Sequence, residues 1–284
     1  MKNMIVRALT GVIYVCLLVG CVLFSPVTSF VFFGFVTVLA LYEFGTIVNN
    51  YGGASVHRPM NALAGLLLVA AIWLYCVGSD TTGKMSCLYG FTLLYLLVSE
   101  LYRGSVSPLR NWSLCFASQL YVALPFSLVP FISVAYENGT VSPTYTWIYT
   151  LSLFIFLWTN DTGAYLCGFA LHNYFPAKLF PRISPKKTWV GSIGGGIFTL
   201  AISVLMWRYT SGTLSLSEWL GFALIVVLFG TWGDLVESML KRELGIKDSG
   251  RILPGHGGML DRFDSALLAI PASAVYLYLV TSVG

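Results

Sequence analysis

An apolar run of about 20 residues is what a helix needs to cross a bilayer, and such runs fill this chain almost end to end. Nine candidate spans fall at roughly 6–24, 29–48, 61–78, 85–102, 113–134, 146–170, 190–208, 217–240 and 264–282. In hydrocarbon every backbone N–H and C=O must bond within the protein, and a helix does this inside one segment. The expected fold is therefore all-α, a polytopic integral membrane protein with about nine transmembrane helices. The chain is 57% hydrophobic and only 10% charged, whereas a soluble domain carries about 25% charge. Pro125 and Pro130 fall inside the fifth span and Pro271 inside the ninth, so kinks shielded by neighbouring helices are expected there.

The six cysteines all lie within apolar runs, and none has CxxC or Cys/His ligand spacing. They read as small apolar packing residues rather than a disulfide or zinc framework. Lys2 and Arg7 precede the first apolar run as they would in a signal peptide. That run is long, however, and no small-x-small cleavage site stands out, so an uncleaved first span is expected.

Basic residues orient the spans. Fourteen of the sixteen Lys and Arg residues fall on the N-terminal side, leaving Lys84 and Arg208 on the other. A miscounted span would mix the two sets. The positive-inside rule then places the N-terminus, and the loops after spans 2, 4, 6 and 8, in the cytoplasm. Two of these loops, 171–189 and 241–263, are long and rich in Lys, Arg, Gly and Pro.

Charge is concentrated between Asp234 and Asp264, which hold eleven of the chain's 28 Asp, Glu, Lys and Arg residues. Asp234, Glu237, Ser238, Lys241 and Arg242 recur at helical spacing and form one polar stripe on span 8. The carboxylates lie about a turn deeper than the basic pair, an arrangement suited to a bound cation carrying a phosphorylated ligand. For Glu237 an i,i+4 ion pair with Lys241 is the plain alternative. Asp234 has no such partner, and an unpaired carboxylate in a span is expensive and usually functional. Asp261 and Asp264 share a face where span 9 opens, although Asp264-Ser265 also suits a helix cap. Two adjoining helices thus offer hard oxygen ligands, and Mg²⁺ takes one or two carboxylates together with water and substrate phosphates.

The loop from Gly245 to Gly258 is too rich in glycine to be helical and lets backbone approach a ligand. It matches neither a P-loop nor a dinucleotide fingerprint. His256 has no second His at ligand spacing, so zinc is not expected. Upstream, Asp161 is another carboxylate in an apolar helix. Lys186 and Lys187 are either topology charges or half of a shared polyphosphate site. The glycines at 191 and 194–196 suit close helix packing.

The pattern from Ser238-Met-Leu-Lys241-Arg242 through Lys247-Asp248-Ser-Gly250 to Leu253-Pro254-Gly-His256-Gly257-Gly258-Met-Leu-Asp261-Arg262-Phe-Asp264 resembles the signature of phosphatidate cytidylyltransferases (CDP-diacylglycerol synthases). The segments WTNDTGAYLCG and ISPKKTWVG resemble the same family. The resemblance covers mainly 155–270; residues 1–150 match only as a set of apolar spans. It implies transfer of the cytidylyl group of CTP to phosphatidate, giving CDP-diacylglycerol and pyrophosphate, in phospholipid biosynthesis. It implies Mg²⁺ on Asp234 and Asp261, with a second cation such as K⁺ left open. It implies catalytic roles for Asp234, Asp261, Lys241 and Asp264. Substrate contacts would come from Asp161, Lys186, Lys187, Ser238, Arg242, Lys247, Asp248, His256 and Arg262. A homodimer in the cell's inner (plasma) membrane is implied, with the active site at the cytoplasmic face and no nucleic-acid partner. Residues 1–145 would then be scaffold, lipid access and dimer contacts, and 146–284 the catalytic region.

Two other readings remain. A polyprenol kinase would also use CTP but would release CDP. A transporter would bind coupling ions at intramembrane acids in both halves, whereas Glu43 and Glu100 lie near span ends.

Overall fold

The computed structural model describes residues 2–137, 140–210, 212–250, 252 and 257–282. Long helices dominate: α1 (Lys2–Phe24), α2 (Pro26–Tyr51), α3 (Arg58–Cys76), α4 (Thr82–Arg103) and α5 (Pro108–Ser118). A π-helical turn, Gln119–Ala123, leads into the short helices α6 (Leu124–Ser127) and α7 (Val129–Ile132). Then come α8 (Trp147–Leu171), α9 (Trp189–Tyr209), α10 (Leu216–Glu243) and α11 (Leu260–Ser282). Two antiparallel hairpins complete the chain: β1 (Val134–Glu137) with β2 (Thr140–Tyr145), and β3 (Lys178–Phe180) with β4 (Ser184–Thr188).

The protein is an all-α, multi-pass membrane protein. Among the described residues seven segments are long and apolar enough to cross a bilayer, with Pro108–Ile132 counted as one. The sequence pattern led us to expect about nine. Within α1 the apolar stretch Leu9–Phe24 is shorter and is not among the seven. Helix α8 is interrupted by Thr159, Asn160, Asp161 and Thr162, which lower its hydropathy. Many large apolar side chains face outward, among them Phe35, Phe91, Leu101 and Ile197, as a lipid-facing surface requires.

The kinks fall where proline removes a backbone donor. Around Pro125 and Pro130 the fifth span passes through a π turn and breaks into short helices. Pro271, by contrast, sits within a continuous α11. Helices α2 and α10 each begin with a full capping box, on Ser25/Thr28 and Ser215/Glu218.

Four buried phenylalanines close the centre of the bundle. Phe33 (α2) stacks on Phe126 (α6) and Phe154 (α8) with centroids 6.4 and 5.9 Å apart. Phe263 (α11) meets Phe126 and Phe154 edge-on at 5.2 and 6.1 Å. Such pairs contribute about 0.5–1.5 kcal/mol each beyond their burial. Because Phe263 stands between Arg262 and Asp264, burying it fixes the rotation of α11 and points its neighbours elsewhere.

Glycine permits the closest helix contacts. A Cβ added at Gly195 of α9 would collide with the Asn160 carbonyl oxygen of α8, and one at Gly233 of α10 would lie 2.6 Å from the Asp264 carbonyl oxygen of α11. Both obstacles are backbone, so neither yields without moving a helix. Gly195→Ala should therefore cost about 1–3 kcal/mol, seen as a lower thermal unfolding midpoint in detergent. Gly90→Ala, where an added Cβ meets open space, should leave the midpoint unchanged or raise it.

Candidate active site

The polar stripe of α10 lies where the sequence pattern puts it, and the structure divides it between two neighbourhoods. The outer one is a cleft of about 560 Å³ between α8, the β3–β4 hairpin and α10, lined by Asp161, Lys178, Lys186, Lys187, Ser192 and Asp234 among others. The hairpin carries the basic residues across to α10. Lys187 Nζ lies 2.5 Å from Asp234 Oδ2, and Ser238 Oγ donates to Asp234 Oδ1 at 3.1 Å. Asp161 projects into the same cleft, within electrostatic range of Asp234 and Lys187. Lys186 and Lys187 thus both line this cleft.

The inner neighbourhood is enclosed. Lys241 Nζ donates to Glu237 Oε2 at 3.0 Å and to Asp261 Oδ1 at 2.7 Å, pinning α10 to α11. The other Asp261 oxygen, Oδ2, accepts from the Ser249 and Gly258 backbone N–H groups at 2.8 and 2.9 Å and lies 2.9 Å from Ser249 Oγ. The i,i+4 pair of Glu237 with Lys241 is therefore present, and Lys241 extends it to a second helix. Glu237 Oε1 is buried and has no hydrogen-bond partner among the described residues.

Several expected residues stand elsewhere. Arg242 is exposed and donates to the Ile246 carbonyl at 3.2 Å, closing the turn after α10. Lys247, Asp248 and Arg262 are exposed and line neither neighbourhood. His256 lies outside the described residues. Asp264 is not a helix cap. Helix α11 has already begun at Leu260, and among the described residues Asp264 accepts only from the adjoining Ser265 N–H, at 2.6 Å. It lies within electrostatic range of Asp234, Glu237 and Asp161.

Glu43 is the residue that sequence reasoning missed. It is only 4% exposed and accepts hydrogen bonds from Ser249 Oγ and from the backbone N–H groups of Met259 and Leu260. The available signal was a carboxylate in an uncharged span with no base at i±3 or i±4. Its place near the span end masked that signal. Glu100 is also buried, held by Asn111 and Arg103.

Five carboxylates gather here, and among the described residues Asp234 pairs with Lys187 and Glu237 and Asp261 pair with Lys241, while Asp161 and Asp264 are in no ion pair. Among the described residues no three His, Cys, Asp or Glu side chains form a ready-made metal cage. The unpartnered Glu237 oxygen and the excess of hard carboxylate donors fit an ion such as Mg²⁺, which takes few protein ligands and completes its shell with water and phosphate.

A sequence profile of the cytidylyltransferase family matches residues 5–280. The phosphatidate cytidylyltransferase of Staphylococcus aureus strain COL is 33% identical over 277 residues, spanning 96% of this chain and 98% of the relative. That of Staphylococcus haemolyticus strain JCSC1435 is 34% identical over 276 residues, with the same coverage. That of Staphylococcus epidermidis strain ATCC 35984 is 31% identical over 278 residues.

The Lys241 bridge is a stability determinant in its own right. Its side chain is 12% exposed and those of Glu237 and Asp261 are 1% and 8%. Lys241→Met should leave two enclosed carboxylates without their cation and cost about 3–5 kcal/mol. Chemical or thermal unfolding of the purified protein in detergent measures this loss.

Proposed function

The chain belongs to the cytidylyltransferase family and is a nucleotidyltransferase, and from this premise we propose that it is a phosphatidate cytidylyltransferase. The reaction joins CTP and phosphatidate to give CDP-diacylglycerol and pyrophosphate, a step of phospholipid biosynthesis. The observation that carries the reading is the cleft in which Lys178, Lys186 and Lys187 face Asp161 and Asp234 at the edge of a membrane helix bundle. A water-soluble triphosphate needs such cations, and a lipid headgroup needs the adjoining bilayer.

In this reading Lys186 and Lys187 clamp the triphosphate, and Asp234 holds the Lys187 ammonium in place until it arrives. An oxygen of the phosphatidate phosphate attacks the α-phosphorus of CTP. A new P–O bond forms there as the bond to the departing pyrophosphate breaks. The attacking phosphate is already an anion, so no strong general base is required, and catalysis is mainly positioning and charge neutralisation. Asp234 and Asp261 are the proposed Mg²⁺ ligands, with Glu237 Oε1 and Asp264 close to that corner. When bound, the ion supplies charge neutralisation on the phosphates; a second cation such as K⁺ fits the same surplus of carboxylates. Arg242, Lys247 and Arg262, all exposed, remain proposed contacts for phosphate.

The distribution of basic residues supports a cytoplasmic active site in the inner membrane. The apolar outer surface of residues 1–145 supports a role in scaffold, lipid access and homodimer contacts.

Purified protein should release pyrophosphate from CTP in the presence of phosphatidate and Mg²⁺. It should do so poorly from ATP, GTP or UTP, and a chelator should stop it. Release of CDP in place of pyrophosphate would overturn the assignment. Lys187→Ala should raise the KM for CTP about tenfold or more, as loss of a charge-assisted phosphate contact of roughly 1.5–3 kcal/mol implies. An unchanged KM would remove Lys187 from the clamp.

A further inference from the structure

Glu43 lies in α2, far in sequence from the charge-dense stretch, yet its carboxylate is built into that stretch. Its Oε2 accepts from the Met259 N–H at 2.8 Å, and its Oε1 accepts from the Leu260 N–H at 3.2 Å and from Ser249 Oγ. Met259 immediately precedes α11 and Leu260 opens it, and the first N–H groups of a helix have no partner within it. A carboxylate is the group best suited to that end, since it accepts several donors and complements the positive end of the helix dipole. Among the described residues Glu43 has no ion pair.

Two glycines of the loop make room for it. A Cβ at Gly250 would lie 2.7 Å from Glu43 Oε2, and one at Gly258 closer still to Glu43 Oε1. The same Ser249 hydroxyl that meets Glu43 lies 2.9 Å from Asp261 Oδ2, while Asp261 Oδ1 holds Lys241. A continuous path of bonded groups therefore runs from Glu43 through Ser249 and Asp261 to Lys241 and Glu237.

We propose that Glu43 is a positioning residue of the active site. From the N-terminal half of the chain it caps α11 in trans and clamps the Ser249 loop, thereby setting Asp261 against Lys241. Its effect on turnover rests on the cytidylyltransferase reading above; its effect on the loop does not.

The test compares wild type with Glu43→Gln and Ser249→Ala, each purified in detergent–lipid micelles. Glutamine keeps the shape but turns an NH₂ group toward donors that need an acceptor. Glu43→Gln should lower kcat at least tenfold and leave the KM for CTP within twofold, because the Lys186–Lys187 cleft has no bond to Glu43. Amide hydrogen exchange should accelerate at least tenfold in peptides covering 249–262 and stay unchanged in those covering α8 and α9. Uniform acceleration across all helices would mark a general loss of stability and overturn the proposal. So would wild-type exchange at 249–262, or wild-type kcat in a folded variant. If Glu43→Gln fails to fold, Ser249→Ala decides. It removes only the hydroxyl link and should show the same local acceleration with a smaller loss of kcat, and wild-type exchange there would refute the clamp. If the wild-type protein proves inactive on CTP and phosphatidate, the functional reading fails, and the exchange data still decide whether Glu43 holds the loop.

Discussion

An ammonium group enclosed between two carboxylates holds the charged corner of this molecule together. Lys241 reaches Glu237 on its own helix and Asp261 on the next, so it fixes both the spacing of α10 and α11 and their relative height. A buried ion pair seldom gains stability over a well-packed apolar substitute. What it supplies is direction. Three charged side chains with little access to water must find one another, and only one register of the two helices lets them. The close approach at Gly233 requires the same register, since any side chain there would strike the α11 backbone.

The opposite face of α11 gives the second half of that constraint. Phe263, Leu267 and Ile270 are buried, and Phe263 completes a closed set of ring contacts with Phe33, Phe126 and Phe154. Turning α11 to move Asp261 would pull Phe263 out of that set. Two of the four rings come from the first 145 residues, and so does Glu43. The N-terminal helices therefore do more than surround the charged corner: they supply part of the core that orients it and the acceptor that starts α11.

What could be read from the sequence followed the strength of the local signal. The apolar runs gave the helical architecture because nothing but a helix satisfies so much backbone in lipid. Their count was less secure, since Asn160 and Asp161 make α8 too polar to pass as a plain span. The spacing of Asp234, Glu237, Ser238 and Lys241 gave one face of α10, and the glycines at 191 and 194–196 gave close packing of α9, whose neighbour at Gly191, Gly194 and Gly195 is α8. Contacts between distant segments had no such signature. Nothing near Asp234 in the sequence announces Lys187, which arrives on a hairpin. Nothing near Glu43 announces Ser249 or the start of α11. Asp264 looked like a cap because it precedes a serine, yet the helix starts earlier, where a carboxylate from another helix meets its first N–H groups.

The two lysine contacts differ in a way that bears on chemistry. In the Lys187–Asp234 pair both side chains keep over a quarter of their surface in solvent, 27% and 29%. Exposed pairs of this kind contribute only about 0–1 kcal/mol, so Lys187 can leave Asp234 at small cost when a phosphate offers a better partner. The Lys241 bridge is enclosed, and breaking it would strand two carboxylates. One cation is thus free to follow a ligand while the other holds the frame against which it moves. That asymmetry suits a site fed from two phases. A polyphosphate entering from water meets a movable ammonium in the cleft, while the helices that meet the bilayer are held by the bridge that stays closed.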